Sequence, residues 1–129
     1  QSAATITVLV GTSTLSKGGQ RYQAASIHWH EKFSMLLIHN DIGLVQLKEN
    51  IVFEKNVKSI KLPTDDFTKV NYPAILTGWG KQQLNGGVPD KLQKLEVNVI
   101  SHLKCKLRHW FLGKDQVCTL NKRGEGACH

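Results

Sequence analysis

Hydrophobic and polar residues alternate in two stretches of the chain, and this alternation predicts β-strands with one buried face. Over residues 5–10 the apolar side chains of Ile6, Val8 and Val10 fall on one face. The same pattern recurs over residues 92–100, where the apolar face comprises Leu95, Val97 and Val99. Both stretches are therefore expected to lie at the edge of a hydrophobic core.

Two further strands are predicted at residues 22–27 and 42–47. Gly18-Gly19 precedes the first of them and provides a turn. Short strands at this spacing, separated by Gly, Asn and Pro, are typical of an all-β barrel or sandwich.

Alternation lapses over residues 49–72, and a domain boundary is expected there. Residues 84–89 contain an Asn-Gly pair, a Gly-Gly pair and a proline, which are typical of a surface loop. One helix is predicted, over residues 101–111, with Ser101 as its N-cap. The apolar positions of this helix follow helical spacing and are Leu103, Leu107 and Trp110.

The composition is that of a globular protein, with 40% hydrophobic and 21% charged residues among 129. The net charge of +7 would favour acidic partners such as nucleic acid. However, the lysines and arginines are spread along the chain and aromatic residues make up only 7%. A solvated basic surface is therefore favoured over a nucleic-acid site.

The three cysteines, Cys105, Cys118 and Cys128, form an odd set, which in an oxidising compartment leaves one thiol with a partner elsewhere. A bridge between Cys105 and Cys118 would stabilise the fold by about 3 kcal/mol on the chain-entropy estimate. The alternative is a zinc site formed by the three cysteines and His129. Its spacing fits poorly, because structural zinc sites usually use short Cys-x-x-Cys pairs.

Three segments, in this order, resemble the chymotrypsin-like serine endopeptidases: HNDIGLVQL at 39–47, LTGWG at 76–80 and RGEGACH at 123–129. The resemblance implies an all-β fold of two Greek-key β-barrels, both only partly covered by this chain. Residues 1–52 are then the later part of the N-terminal barrel, 53–72 the linker between barrels, and 73–129 the earlier part of the C-terminal barrel.

By this resemblance, Asp41 matches the catalytic aspartate of the family. Without it, an Asx turn before a strand would be the simplest interpretation of Asn40-Asp41. A triad needs this carboxylate because it orients the imidazole that takes the proton of the nucleophilic serine. No histidine or serine of this sequence has the family's catalytic context, so the isolated chain is expected to be inactive.

The resemblance also implies a substrate pocket formed by Gly126, Ala127 and His129, with Gly126 at its floor. Glycine offers no charge to pair with a lysine or arginine of the substrate, and an unpaired buried cation is costly. A large apolar or aromatic side chain is therefore the expected substrate group. Glu125 neighbours the floor position and is expected to point away from the pocket.

The family further implies a disulfide between Cys105 and Cys118, and a partner for Cys128 beyond His129. Protein or peptide substrates and protease inhibitors are the expected partners, without nucleic acid or membrane. No metal or cofactor is expected. The intact protein is predicted to be secreted and monomeric.

Two other function classes are considered. A non-catalytic protease homologue could bind partners through the same scaffold, and the segments that flank this sequence would distinguish it from an enzyme. A self-contained basic β module could bind polyanions, in which case binding should depend steeply on salt.

Overall fold

The computed structural model describes residues 2–65, 69–83, 85–122 and 125–126. Its regular structure is almost entirely β, and the predicted all-β class is confirmed. The elements in chain order are a short 3-10 helix Ala3–Thr5, β1 Thr7–Val10, β2 Gln20–Trp29, β3 Gly43–Leu47, β4 Tyr72–Gly78, β5 Gln93–Val99, α1 His102–Lys106 and β6 Thr119–Leu120. None of the helices in the described ranges is long and apolar enough to cross a membrane.

The strands form two three-stranded antiparallel sheets, with orders β1-β2-β3 and β4-β5-β6. The chain divides between Leu62 and Pro63 into two compact units, and each unit contains one sheet. This division lies inside the stretch predicted as linker. The boundaries of the two partial barrels, at 52 and 73, stay predictions.

In the first unit, β1 and β2 form a hairpin whose turn depends on glycine. Gly18 and Gly19 have φ angles of 74° and 71°, in the left-handed region that residues with a Cβ rarely adopt. A Cβ on Gly19 would also lie 2.4 Å from the carbonyl oxygen of Val10. The predicted Gly18-Gly19 turn thus has a steric reason as well as a conformational one.

The core of the first unit lies against β2, where Tyr22 and Ala24 are buried. The phenol of Tyr22 connects three segments of the chain. Its Oη donates to Gln20 Oε1 at 2.6 Å and accepts from the backbone N–H of Val52 at 3.1 Å. Gln20 Nε2 in turn donates to Glu54 Oε1 at 2.8 Å. This network holds the segment after β3 against the hairpin.

We predict that Tyr22→Phe lowers the free energy of unfolding of the intact protein by about 1–2 kcal/mol, because the N–H of Val52 loses its partner. Denaturant titration measures this effect. Tyr72→Phe is the matched control, since the side chain of Tyr72 is 44% exposed, and it should change stability by less than about 0.5 kcal/mol. A loss below about 0.5 kcal/mol for Tyr22→Phe would show that the Tyr22 network contributes little to stability.

In the second unit, β5 has the alternation predicted from sequence. Val97 and Val99 are buried, Leu95 is half-buried, and the residues between them are exposed. β4 pairs with β5 along its whole length, from Tyr72 opposite Val99 to Gly78 opposite Gln93. The sequence analysis missed β4, and it also missed the two-residue β6.

The predicted helix is present but shorter than expected. The N-cap is confirmed, because Ser101 Oγ accepts from the backbone N–H of Lys104 at 3.2 Å. α1 ends at Lys106 instead of residue 111, because the N–H groups of Arg108 and His109 both donate to the carbonyl of Cys105 and close a turn. The segment after this turn leads back to Cys118.

The predicted disulfide between Cys105 and Cys118 is present, with a Cα–Cα distance of 6.3 Å. Because the bridge uses both sulfur atoms, these two cysteines cannot serve as thiolate ligands, and the alternative zinc site is wrong. The bridge closes the segment between α1 and β6. His102, which precedes Cys105 on α1, has its Nε2 2.8 Å from the carbonyl oxygen of Gly113, and a ring nitrogen at this acceptor must donate.

We predict that the double variant Cys105→Ala, Cys118→Ala lowers the free energy of unfolding of the intact protein by about 3 kcal/mol, since the unfolded chain regains the freedom of the closed loop. Chemical denaturation under non-reducing conditions measures the loss. Adding a reductant to the wild type should reproduce most of this loss and leave the variant unchanged at this site. A variant as stable as the oxidised wild type would contradict the prediction.

Candidate active site

Asp41 lies in the connection between β2 and β3, which the backbone closes at both ends. The N–H of His30 donates to the carbonyl of Ile42 at 3.1 Å, and the N–H of Ser34 donates to the carbonyl of His39 at 3.1 Å. Within the outer loop, which the His30–Ile42 hydrogen bond closes, the backbone twice adopts left-handed φ angles. Ile38 and Asn40 each have a φ angle of 54°.

Asp41 is the central residue of a three-residue turn, because the N–H of Ile42 donates to the carbonyl of Asn40 at 2.8 Å. The side chain of Asn40 fixes the turn from outside, since its Nδ2 donates to the carbonyl of Lys32 at 2.9 Å. The left-handed backbone suits Asn40, but it is an outlier for the β-branched Ile38. Strain of this kind is common at functional sites.

The carboxylate of Asp41 is exposed to solvent and makes no hydrogen bond or ion pair with the described part of the chain. Its acceptor atoms are therefore available. The side chains that follow Ser34 toward this position are apolar and highly exposed, with Met35 at 79% and Leu36 at 89%. Ile42, directly after Asp41, is 64% exposed.

Ser26 and His28 on β2 form a serine–histidine contact that the sequence analysis did not anticipate, with Oγ and Nε2 2.8 Å apart. It does not have the chemistry of a nucleophile and its base. The hydroxyl of Ser26 already donates to Gln46 Oε1 on β3 at 2.9 Å. A hydroxyl has one proton, so His28 must donate to Ser26, and the ring cannot act as its base in this arrangement. Residues two apart on one strand share a face, which is the signal that could have found the pair.

Gly126 is exposed, and a Cβ built on it would meet no heavy atom within 4 Å. Ala127, Cys128 and His129 lie outside the described residues. The pocket assignments of Gly126, Ala127 and His129 stay predictions.

The carboxylate of Glu125 is engaged by its own segment. Asn121 Nδ2 donates to Glu125 Oε2 at 2.8 Å, and Lys122 Nζ lies 3.6 Å from Glu125 Oε1. Asn121 also donates to the carbonyl of Glu96 on β5 at 2.8 Å, so the acid is tied to the sheet. These contacts partly neutralise the charge next to Gly126.

Comparison with known proteins identifies the family. The family model described as Trypsin matches residues 1–129. The chain belongs to the trypsin family. Among solved structures, the one named "Structure of GrC" superposes with a TM-score of 0.86 at 22% identity, covering 94% of this chain and 56% of that one. The predicted chymotrypsin-type architecture, partly covered, is confirmed.

Curated members of the trypsin family are similar along most of this chain. Chymotrypsin-2 of Vespa crabro is 35% identical over 123 residues, which cover 95% of this chain and 56% of the relative. Trypsin-1 of Astacus astacus is 37% identical over 87 residues, covering 67% and 36%. Chymotrypsin-C of Mus musculus is 27% identical over 111 residues, covering 85% and 41%. The chain thus spans about half the length of the curated relatives it matches.

Proposed function

We propose that the protein containing this chain is a secreted serine endopeptidase that cleaves after large apolar or aromatic residues, with Asp41 as the carboxylate of its triad. The main support is the family match over residues 1–129. The similarity to Chymotrypsin-2 of Vespa crabro favours apolar over basic substrates. The disulfide between Cys105 and Cys118 is in keeping with an oxidising, extracellular location.

In the proposed mechanism, Asp41 accepts the Nδ1–H of a histidine and fixes the tautomer in which Nε2 is free to take a proton. That imidazole then removes the proton of a serine hydroxyl as its oxygen attacks the scissile carbonyl, and Asp41 stabilises the imidazolium that forms. The unoccupied acceptor atoms of Asp41 support this role.

We further propose that the histidine and the serine are supplied by polypeptide outside this sequence, so that the chain alone is inactive. The chain matches only 56% of Chymotrypsin-2, which leaves room for these groups in the remainder. The serine–histidine contact of Ser26 with His28 does not supply them, because its hydroxyl proton is committed to Gln46.

The surroundings of Asp41 support a site that becomes covered in the intact protein. Leu44 and Val45 on β3 are 70% and 43% exposed, so this strand presents apolar surface that a complete barrel would bury. Covering Ile42 and its apolar neighbours would exclude water from Asp41. The attraction between a carboxylate and an imidazolium is much stronger in such surroundings than in water.

Covalent labelling of the intact protein with a serine-directed fluorophosphonate, together with hydrolysis of peptides that carry phenylalanine directly before the scissile bond, tests the proposal. Stoichiometric labelling and turnover are expected. Labelling requires the activated serine, whereas a non-catalytic homologue with the same fold would show neither labelling nor turnover. That second result would show that the protein is a non-catalytic binding protein and would overturn the proposal of an enzyme.

A further inference from the structure

The surface formed by residues 101–114, here named the α1 surface, displays large apolar side chains to solvent. Leu103 is 73% exposed, and Leu107 and Trp110 are each 82% exposed. The spacing of four residues puts Leu103 and Leu107 on one side of α1 and its C-cap. Side chains with such high exposure protrude from the surface and do not line a groove.

Cationic residues lie between and after these apolar residues in the sequence. Lys104 and Lys106 occupy the last turn of α1, and Arg108 and Lys114 follow, all exposed. Residues 101–114 contain no aspartate or glutamate. Within the described ranges none of the four cations makes an ion pair. The α1 surface therefore combines a net positive charge with protruding apolar groups.

Local bonds hold the α1 surface in one conformation. The disulfide joins Cys105 to Cys118, and His102 donates to the carbonyl of Gly113. The N–H of Gly113 donates to Gln116 Oε1 at 3.0 Å. The rings of Trp110 and Phe111 pack edge to face with centroids 5.7 Å apart. Apolar side chains displayed on such a tied segment lose little conformational freedom when they bind.

We propose that the α1 surface docks onto an anionic lipid bilayer, with Leu103, Leu107 and Trp110 at the boundary of headgroups and acyl chains and the four cations among the lipid headgroups. Exposed leucine and tryptophan beside lysine and arginine are the residue types that interfacial helices combine. Tryptophan favours this boundary because its ring is apolar and its N–H is polar. An acidic helical peptide is less favoured, because it would need a groove.

This inference does not depend on proteolytic activity. It differs from the expectation of no membrane partner stated with the family resemblance. Contact with a bilayer surface requires no apolar run long enough to span the bilayer, since lysine stems can lie along the surface while their charges stay in water.

The test uses the intact protein and co-sedimentation with phosphatidylcholine vesicles, with and without phosphatidylserine. Binding to the anionic vesicles alone, weakened by salt, is expected. Leu103→Ser with Leu107→Ser should weaken partitioning at least about tenfold. Lys104→Gln with Lys106→Gln should weaken it about twentyfold. Val88→Ser and Lys81→Gln are the matched controls, because both residues are exposed outside the α1 surface, and they should bind like the wild type.

Quenching of tryptophan fluorescence by brominated lipid locates the contact and should disappear in Trp110→Phe. Circular dichroism and the disulfide content of each variant exclude misfolding as the cause. Failure to bind anionic vesicles, or equal binding by the α1-surface variants and their controls, would overturn the proposal. Binding to heparin without binding to vesicles would also overturn it and would assign the cations to a polyanion.

Discussion

Replacing Asp41 with asparagine in the intact protein is expected to lower kcat for peptide hydrolysis by about four orders of magnitude, the size known for Ser-His-Asp triads of this family. An amide cannot hold the imidazole in the required tautomer or stabilise the imidazolium. The fold should be retained, because the carboxylate of Asp41 makes no hydrogen bond or ion pair with the described part of the chain. Steady-state kinetics and a thermal melt measure the two effects.

Asp65→Asn is the control for this substitution, since Asp65 is an exposed aspartate beside the division between the two units. It should leave kcat within about twofold, as expected for a surface change away from any such site. If Asp41→Asn lowers kcat by less than about tenfold, Asp41 does not serve in the triad. Loss of the folded state in Asp41→Asn alone would instead assign it a structural role in the connection between β2 and β3.

The second large effect concerns the substrate side chain that precedes the scissile bond. We expect kcat/KM for phenylalanine to exceed that for lysine by about three orders of magnitude, because an unpaired cation in the pocket of Gly126 would cost several kcal/mol. Gly126→Asp should reverse part of this preference by supplying a carboxylate. Kinetics with matched peptides that differ only at this residue measure the ratio.

Gly87→Asp is the matched control for Gly126→Asp. A Cβ on Gly87, as on Gly126, would meet no heavy atom within 4 Å, so both substitutions add the same charge without a clash. The control should leave the ratio unchanged. A wild-type protein that prefers lysine would show that Gly126 does not set specificity, and it would leave the endopeptidase proposal itself intact.

Parts of the fold that depend on local pattern were predictable from the sequence. Alternation identified β5 and its buried face, and Ser101 identified the start of α1. Of the two strands that were missed, β4 contains Pro73, which argues against a strand interior. Its position as the outer strand in the order β4-β5-β6 explains why a proline is tolerated, but strand order is a property of the sheet and not of the local sequence.

Only those parts of the candidate site that belong to a sequence motif of the family were predictable. The segment around Asp41 is recognisable from sequence, and so was the pairing of Cys105 with Cys118. The left-handed backbone of Ile38 was not, because β-branched residues have no local preference for it and the closed connection imposes it. The contact of Ser26 with Gln46 depends on the pairing of β2 with β3 and on the irregular register between Ala24 and Ser26.

The division between Leu62 and Pro63 has a practical consequence. Every strand pairing in the two sheets lies on one side of it, from β1 to β3 before and from β4 to β6 after. Cutting the peptide bond at this position would sever no ladder hydrogen bond, and Pro63 has no amide proton to lose. The junction is therefore suited to the insertion of a reporter domain into the intact protein.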